Sequence, residues 1–133
     1  MNAKNKRLFL VVTAFVETAA GVCLLFLPAV VFAVLLGITQ ATNEAIFIGR
    51  LTGAALLALG VASWIARTDT RSPAHVGLLT GIFIYNMAAT TLIGLAGAVL
   101  KMVGVLLWPA VILHAILAVW CFVCLRSGRE AGP

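Results

Sequence analysis

Apolar residues run along this chain in four long stretches separated by short polar breaks, with neither the alternation of a half-buried strand nor the narrow stripe of a surface helix. The first covers about residues 8–36 and is interrupted only by Thr13, Glu17 and Thr18. The second covers about 46–66, the third 74–100 and the fourth 103–125. Each reaches the roughly 20 residues that a helix needs to cross a bilayer's hydrocarbon core. A helix pairs all its backbone polar groups within itself, so it is the form in which such a run can enter lipid. The pattern therefore predicts an all-α chain: one integral membrane four-helix bundle filling residues 1–133. The first run exceeds one crossing, so a tilt or a bend near Pro28 is expected.

The breaks carry their own signals. Gly37 to Ala45 holds Thr, Gln, Asn and Glu44 and reads as the first loop. Arg67-Thr68-Asp69-Thr70-Arg71-Ser72-Pro73 is a polar turn, and Pro73 suits the first turn of the third helix. The last loop is read as minimal, around Lys101 to Gly104, with Pro109 in an early turn of the fourth helix, where a missing backbone donor costs least. A cleavable leader ending near Thr18-Ala19-Ala20 is the rival reading of the start. Glu17 in the apolar region and the apolarity beyond that point weigh against it.

Composition agrees with lipid as the solvent. The chain is 63% hydrophobic and 10% charged, against roughly 45–50% and about 25% in soluble domains, and its mean hydropathy is +1.16. The formal charge of +5 does not indicate nucleic acid, because the basic residues form no stripe interleaved with aromatics. They mark orientation. Lys4, Lys6, Arg7, Arg67, Arg71, Arg126 and Arg129 fall on one side of a four-span chain, leaving Lys101 and Arg50 for the other. The excess of basic residues on cytoplasmic loops places both termini inside. The expected location is the inner (plasma) membrane of a bacterium, multi-pass, with the bilayer as the first partner.

Small residues recur at spacings that let helix backbones approach in lipid: Gly49-x-x-x-Gly53, Ala54/Ala58/Ala62, Gly77-x-x-x-Gly81 and Ala110/His114/Ala118. Against that background the ionisable residues stand out. Glu17, Arg50 and His114 fall inside predicted spans, with Tyr85 and Asn86 in the third. Ionised groups in hydrocarbon cost at least about 2.5–3.5 kcal/mol, so they usually face the bundle interior and carry a role. At 1.5 Å per residue, Glu17 lies roughly 13 Å in, and Asn86 and His114 roughly 18 Å in. Arg50, at roughly 25 Å, could reach down towards them. A shared polar cluster is expected, serving either as a site or as a pairing that fixes helix register.

Other chemistries find less support. His75 at the cytoplasmic edge and His114 near the midplane do not share the depth that a two-histidine haem needs. Cys121-Phe122-Val123-Cys124 supplies two thiols and no second pair, which is thin for zinc. No metal and no cofactor is expected, and the glycine motifs of nucleotide sites are absent.

Three resemblances bear on function. The CxxC late in a fourth span resembles the redox helix of the vitamin K epoxide reductase family, which implies thiol or quinone chemistry at Cys121 and Cys124. There is, however, no second cysteine pair to relay electrons. Glu17 in the first helix of a short four-span chain resembles the small multidrug resistance transporters. That implies proton-coupled transport through Glu17, for which a chain this small would need a homodimer to enclose a pathway, although the rest of that family's first- and third-helix patterns is missing. Glu17-x-x-x-Gly21, Gly49-Arg50-Leu51-x-Gly53 and Leu56-Leu57-Ala58-Leu59-Gly60 resemble the small bacterial four-helix proteins grouped around DoxX. That group implies partners of oxidoreductases or, in distant relatives, sterol-like ligands. The leading expectation is a non-enzymatic membrane protein whose cluster of Glu17, Arg50, Tyr85, Asn86 and His114 binds a small apolar ligand or supports a partner subunit.

Overall fold

The computed structural model describes residues 3–69 and 72–129, and the described residues form five helices and no strand. These are α1 (Ala3–Phe26), α2 (Pro28–Leu36), α3 (Asn43–Ala66), α4 (Pro73–Ala98) and α5 (Leu107–Arg129). Four of them, α1, α3, α4 and α5, are long and apolar enough to cross a membrane. Of the basic residues used for orientation, Arg71 lies outside the described residues, as does Thr70 of the same turn.

The boundaries follow local chemistry. Thr42 caps α3, its hydroxyl accepting from the Ala45 backbone N–H at 3.3 Å. Ser72 caps α4, accepting from His75 N–H at 3.1 Å, with Pro73 in the first turn as expected. Such caps satisfy donors that a helix start would otherwise leave open. Asp69 accepts from the Ser72 backbone at 3.1 Å and from its hydroxyl, tying the preceding turn to the cap.

Two predicted spans differ from the observed helices. The run 8–36 is two helices: Leu27, at φ −129° and ψ 46°, leaves helical geometry, and Pro28 restarts the chain as α2. The residue before a proline is pushed out of the α region, which accounts for a break rather than a bend. Gly37, at φ 75°, closes α2 in the left-handed conformation that glycine tolerates best. The fourth helix starts at Leu107, not near 103. Residues 99–106 are instead a connection that packs on α2, with Leu106 N–H donating to Val34 O at 2.8 Å.

The helices associate as two close pairs, α1 with α3 and α4 with α5, and α1 also touches α5. In the first pair, α3 turns Gly49, Gly53, Leu56, Gly60 and Ser63 inward. A side chain on Gly53 would meet Leu25 N at 2.6 Å and Gly21 O at 2.7 Å, and one on Gly21 would meet Leu57 N at 2.6 Å. Backbone thus lies on backbone, the arrangement that small residues make available in lipid. Gly77 and Gly81 have nothing within 4 Å of a notional side chain. That predicted stripe lies on the outside of α4, and Ala54 and Ala58 are likewise exposed on α3.

The other face of α1 meets α4 and α5 around Phe9, Leu10, Leu79, Ile82, Leu117, Cys121 and Cys124, all buried. Phe9 stands edge-on to Trp120 at 5.5 Å. Along the antiparallel α4/α5 pair, Asn86 meets His114 and Leu79 meets Cys121. This register places the polar residues on one level of the core and the cysteines two turns nearer the chain termini.

Candidate functional site

The buried face of α1 is apolar at Phe9 and Leu10 and turns polar at Thr13 and Glu17, which are 0% and 1% exposed. The spacing 10, 13, 14, 17, 21 keeps these residues on the inward side of one helix. The Thr13 hydroxyl and both Glu17 carboxylate oxygens are buried without a hydrogen-bond partner. Tyr85 of α4 interacts electrostatically with Glu17, close enough to couple the two groups but outside ordinary hydrogen-bond geometry. The two therefore stand poised beside each other rather than locked together.

On the α4/α5 side the polar groups are satisfied. Asn86, 0% exposed, donates its amide to Ile82 O at 2.9 Å. That leaves its Oδ1 to accept from His114 Nδ1 at 2.8 Å, so Nδ1 carries the ring proton and Nε2 presents a lone pair. The Tyr85 and His114 rings meet edge to face at 5.6 Å and 85°. Thr90 donates to Asn86 O at 2.8 Å, adding a further bond within the helix. One end of the cluster, Asn86 and His114, is a fixed scaffold. The other, Glu17 and Thr13, holds polar atoms with no partner in the protein.

Of the five residues expected to share a cluster, the structure brings together Glu17, Tyr85, Asn86 and His114. Arg50 does not join them: it is exposed on α3, on the far side of the close α1/α3 seam. The seam sets Gly60 beside Thr18 and Gly53 beside Leu25, so Arg50 lies about ten residues, roughly 15 Å, along α3 from the level of Glu17. Thr13 belongs to the site although the sequence marked it only as a polar interruption of the first apolar run. Its position one turn before Glu17 on the same face was the signal available.

The other candidate chemistry lies apart. Cys121 and Cys124 are fully buried free thiols in the apolar core, and the Cys121 thiol donates to Leu79 O at 3.1 Å. His75 is buried near the terminal end with both ring nitrogens unpartnered, close enough to Lys6 and Asp69 to feel their charges. Cys23 is exposed on α1. Among the described residues, no three His, Cys, Asp or Glu side chains converge as metal ligands.

No family model, curated protein or solved structure matches this chain. The chemistry of the site carries the functional reading by itself.

Proposed function

We propose that this chain is a multi-pass protein of a bacterial inner membrane, both termini cytoplasmic, that acts as a non-enzymatic binding module. Its Glu17, Thr13, Tyr85 and His114 receive the polar group of a small, otherwise apolar ligand. The observation that carries this reading is the buried Glu17 carboxyl with no partner for either oxygen. A carboxylate taken out of water without donors costs several kcal/mol, and a proton or a donor brought by a ligand offsets that cost. The unmet atoms lie in the α1/α4/α5 core and not on an outer face, which favours a small ligand over a partner subunit.

A second reading, proton-coupled transport, is favoured by the burial of a protonatable carboxyl in the core of a helix long and apolar enough to span a membrane. Redox chemistry at Cys121 and Cys124 has less behind it, since both thiols are packed as small apolar side chains.

Infrared difference spectra of the protein in nanodiscs test the reading, with Glu17→Gln as control. The probes are a sterol as a neutral alcohol and tetraphenylphosphonium as a lipophilic cation. A Glu17 carboxyl band that shifts with the sterol and vanishes in the variant supports ligand binding. Proton release with the cation would favour transport. A band unmoved by either would overturn both.

A further inference from the structure

On the outer side of the α1/α3 seam, away from the polar cluster, lies an open groove. It is lined by Ala14, Phe15, Thr18, Gly60, Val61 and Trp64. At its floor Gly60 lets the two helices close, since a side chain there would meet Thr18 N at 2.9 Å and Ala14 O at 3.1 Å. Phe15 and Trp64, 66% and 43% exposed, meet edge to face at 5.9 Å at the end of the groove nearer the chain termini. A second open groove, lined along α3 from Ala54 through Ala58 and Val61 to Ile65, runs beside it, shares Val61 with it and reaches farther from the termini. From Trp64 to Ala54 the track is about 15 Å long at the helical rise. That is about half of the roughly 30 Å hydrocarbon core, the depth of one leaflet.

A cation stands over one end of this track. The Arg67 guanidinium lies 3.9 Å from the Trp64 ring centroid and donates to the Trp64 carbonyl, which fixes it at the groove mouth. Arg7 is exposed on α1, at seven and eleven residues before Ala14 and Thr18 and therefore on their face. The chain thus presents an apolar slot one leaflet deep, an aromatic pair at interfacial height, and two arginines where a headgroup would sit. Two basic charges over an apolar slot, one of them held in place on Trp64, complement an anionic amphiphile.

We propose that the α1/α3 groove binds one anionic phospholipid of the leaflet facing the chain termini, its headgroup at Arg67 and Arg7 and one acyl chain along Gly60, Val61 and Ala58. The proposal rests on the bilayer placement above and not on the Glu17 cluster. Glu17→Gln therefore leaves it unaffected, and failure to enter a bilayer would show as failure to incorporate into nanodiscs at all.

The test is native mass spectrometry of the full chain released from nanodiscs of mixed phosphatidylglycerol and phosphatidylcholine. The expected result is retained phosphatidylglycerol in preference to phosphatidylcholine. Arg67→Gln should cut that preference about fivefold, the ratio that one basic residue contributes near a lipid surface. Val61→Trp, which fills the slot from an exposed position and leaves the seam intact, should abolish retention of either lipid while the thermal unfolding midpoint stays unchanged. Equal retention of the two lipids would overturn the proposal. So would a Val61→Trp protein that keeps its phosphatidylglycerol but changes oligomeric state, because the groove would then be an interface with a second copy.

Discussion

The two faces of α1 pack in opposite ways. Toward α3 it presents Ala14, Thr18 and Gly21 to Gly53, Leu57 and Gly60, and the backbones touch with no room for another carbon. Toward α4 and α5 it presents Thr13 and Glu17, whose polar atoms are buried and left unpartnered. The first face spends its residues on contact. The second leaves a carboxyl where an alanine or leucine would have packed without cost. A bundle built only for stability would resemble the α1/α3 seam throughout. The contrast marks the seam as the frame, and the polar face, anchored by the Asn86–His114 bond, as the place where the core holds polar atoms without hydrogen bonds.

The seam should be the most sensitive place to break this comparison. Gly53→Leu forces a side chain into Leu25 N and Gly21 O, backbone atoms that cannot swing aside, and should cost at least the roughly 1–3 kcal/mol of an overpacked core. Denaturant unfolding in detergent micelles reads this directly. Gly81→Leu is the matched control, since nothing lies within 4 Å of that position and stability should be unchanged.

A smaller effect is expected at the scaffold end of the polar face. His114→Leu leaves Asn86 Oδ1 buried without its donor, at a cost of about 1–2 kcal/mol. Paired with Asn86→Leu in a double-mutant cycle, the coupling should fall near the roughly 0.6 kcal/mol average for hydrogen bonds between membrane helices, and below about 1.7 kcal/mol.

The smallest effect should be seen at the thiols. A membrane-permeant maleimide should modify Cys23 in the folded protein and reach Cys121 and Cys124 only on unfolding, because those two are fully buried. Intact-mass analysis before and after denaturation counts the adducts. Rapid modification of all three in the folded state would put the cysteines back among the candidates for redox chemistry.

Much of this arrangement could be read from the chain, and the misreadings share a physical cause. Apolar length announces a span whatever its neighbours, so α1, α3, α4 and α5 were legible. The depth count also put Asn86 and His114 on one level, where they meet at 2.8 Å. What one helix cannot announce is which neighbour each of its faces will meet. Gly49-Gly53 and Gly77-Gly81 carry the same spacing, yet the first lies against α1 and α2 while the second faces outward. Arg50 was joined to the cluster by the reach of a long side chain from a higher level, and reach does not reveal that the side chain lies exposed on α3. The bend expected near Pro28 is a full break at Leu27, and the loop expected at 101–104 is the longer connection 99–106, for a related reason. Both are apolar, and hydropathy does not distinguish an apolar loop packed on α2 from the end of a span.

The most direct test of the contrast is the unfolding free energy of Glu17→Leu beside that of the unaltered protein. The account predicts that replacing an unpartnered carboxyl with an apolar side chain of similar size leaves stability unchanged or raises it, by up to about 2 kcal/mol, while the Glu17 infrared response to the sterol disappears. A loss of stability comparable to Gly53→Leu would contradict it, since Glu17 would then be a structural partner within the bundle and not a group held open for a ligand.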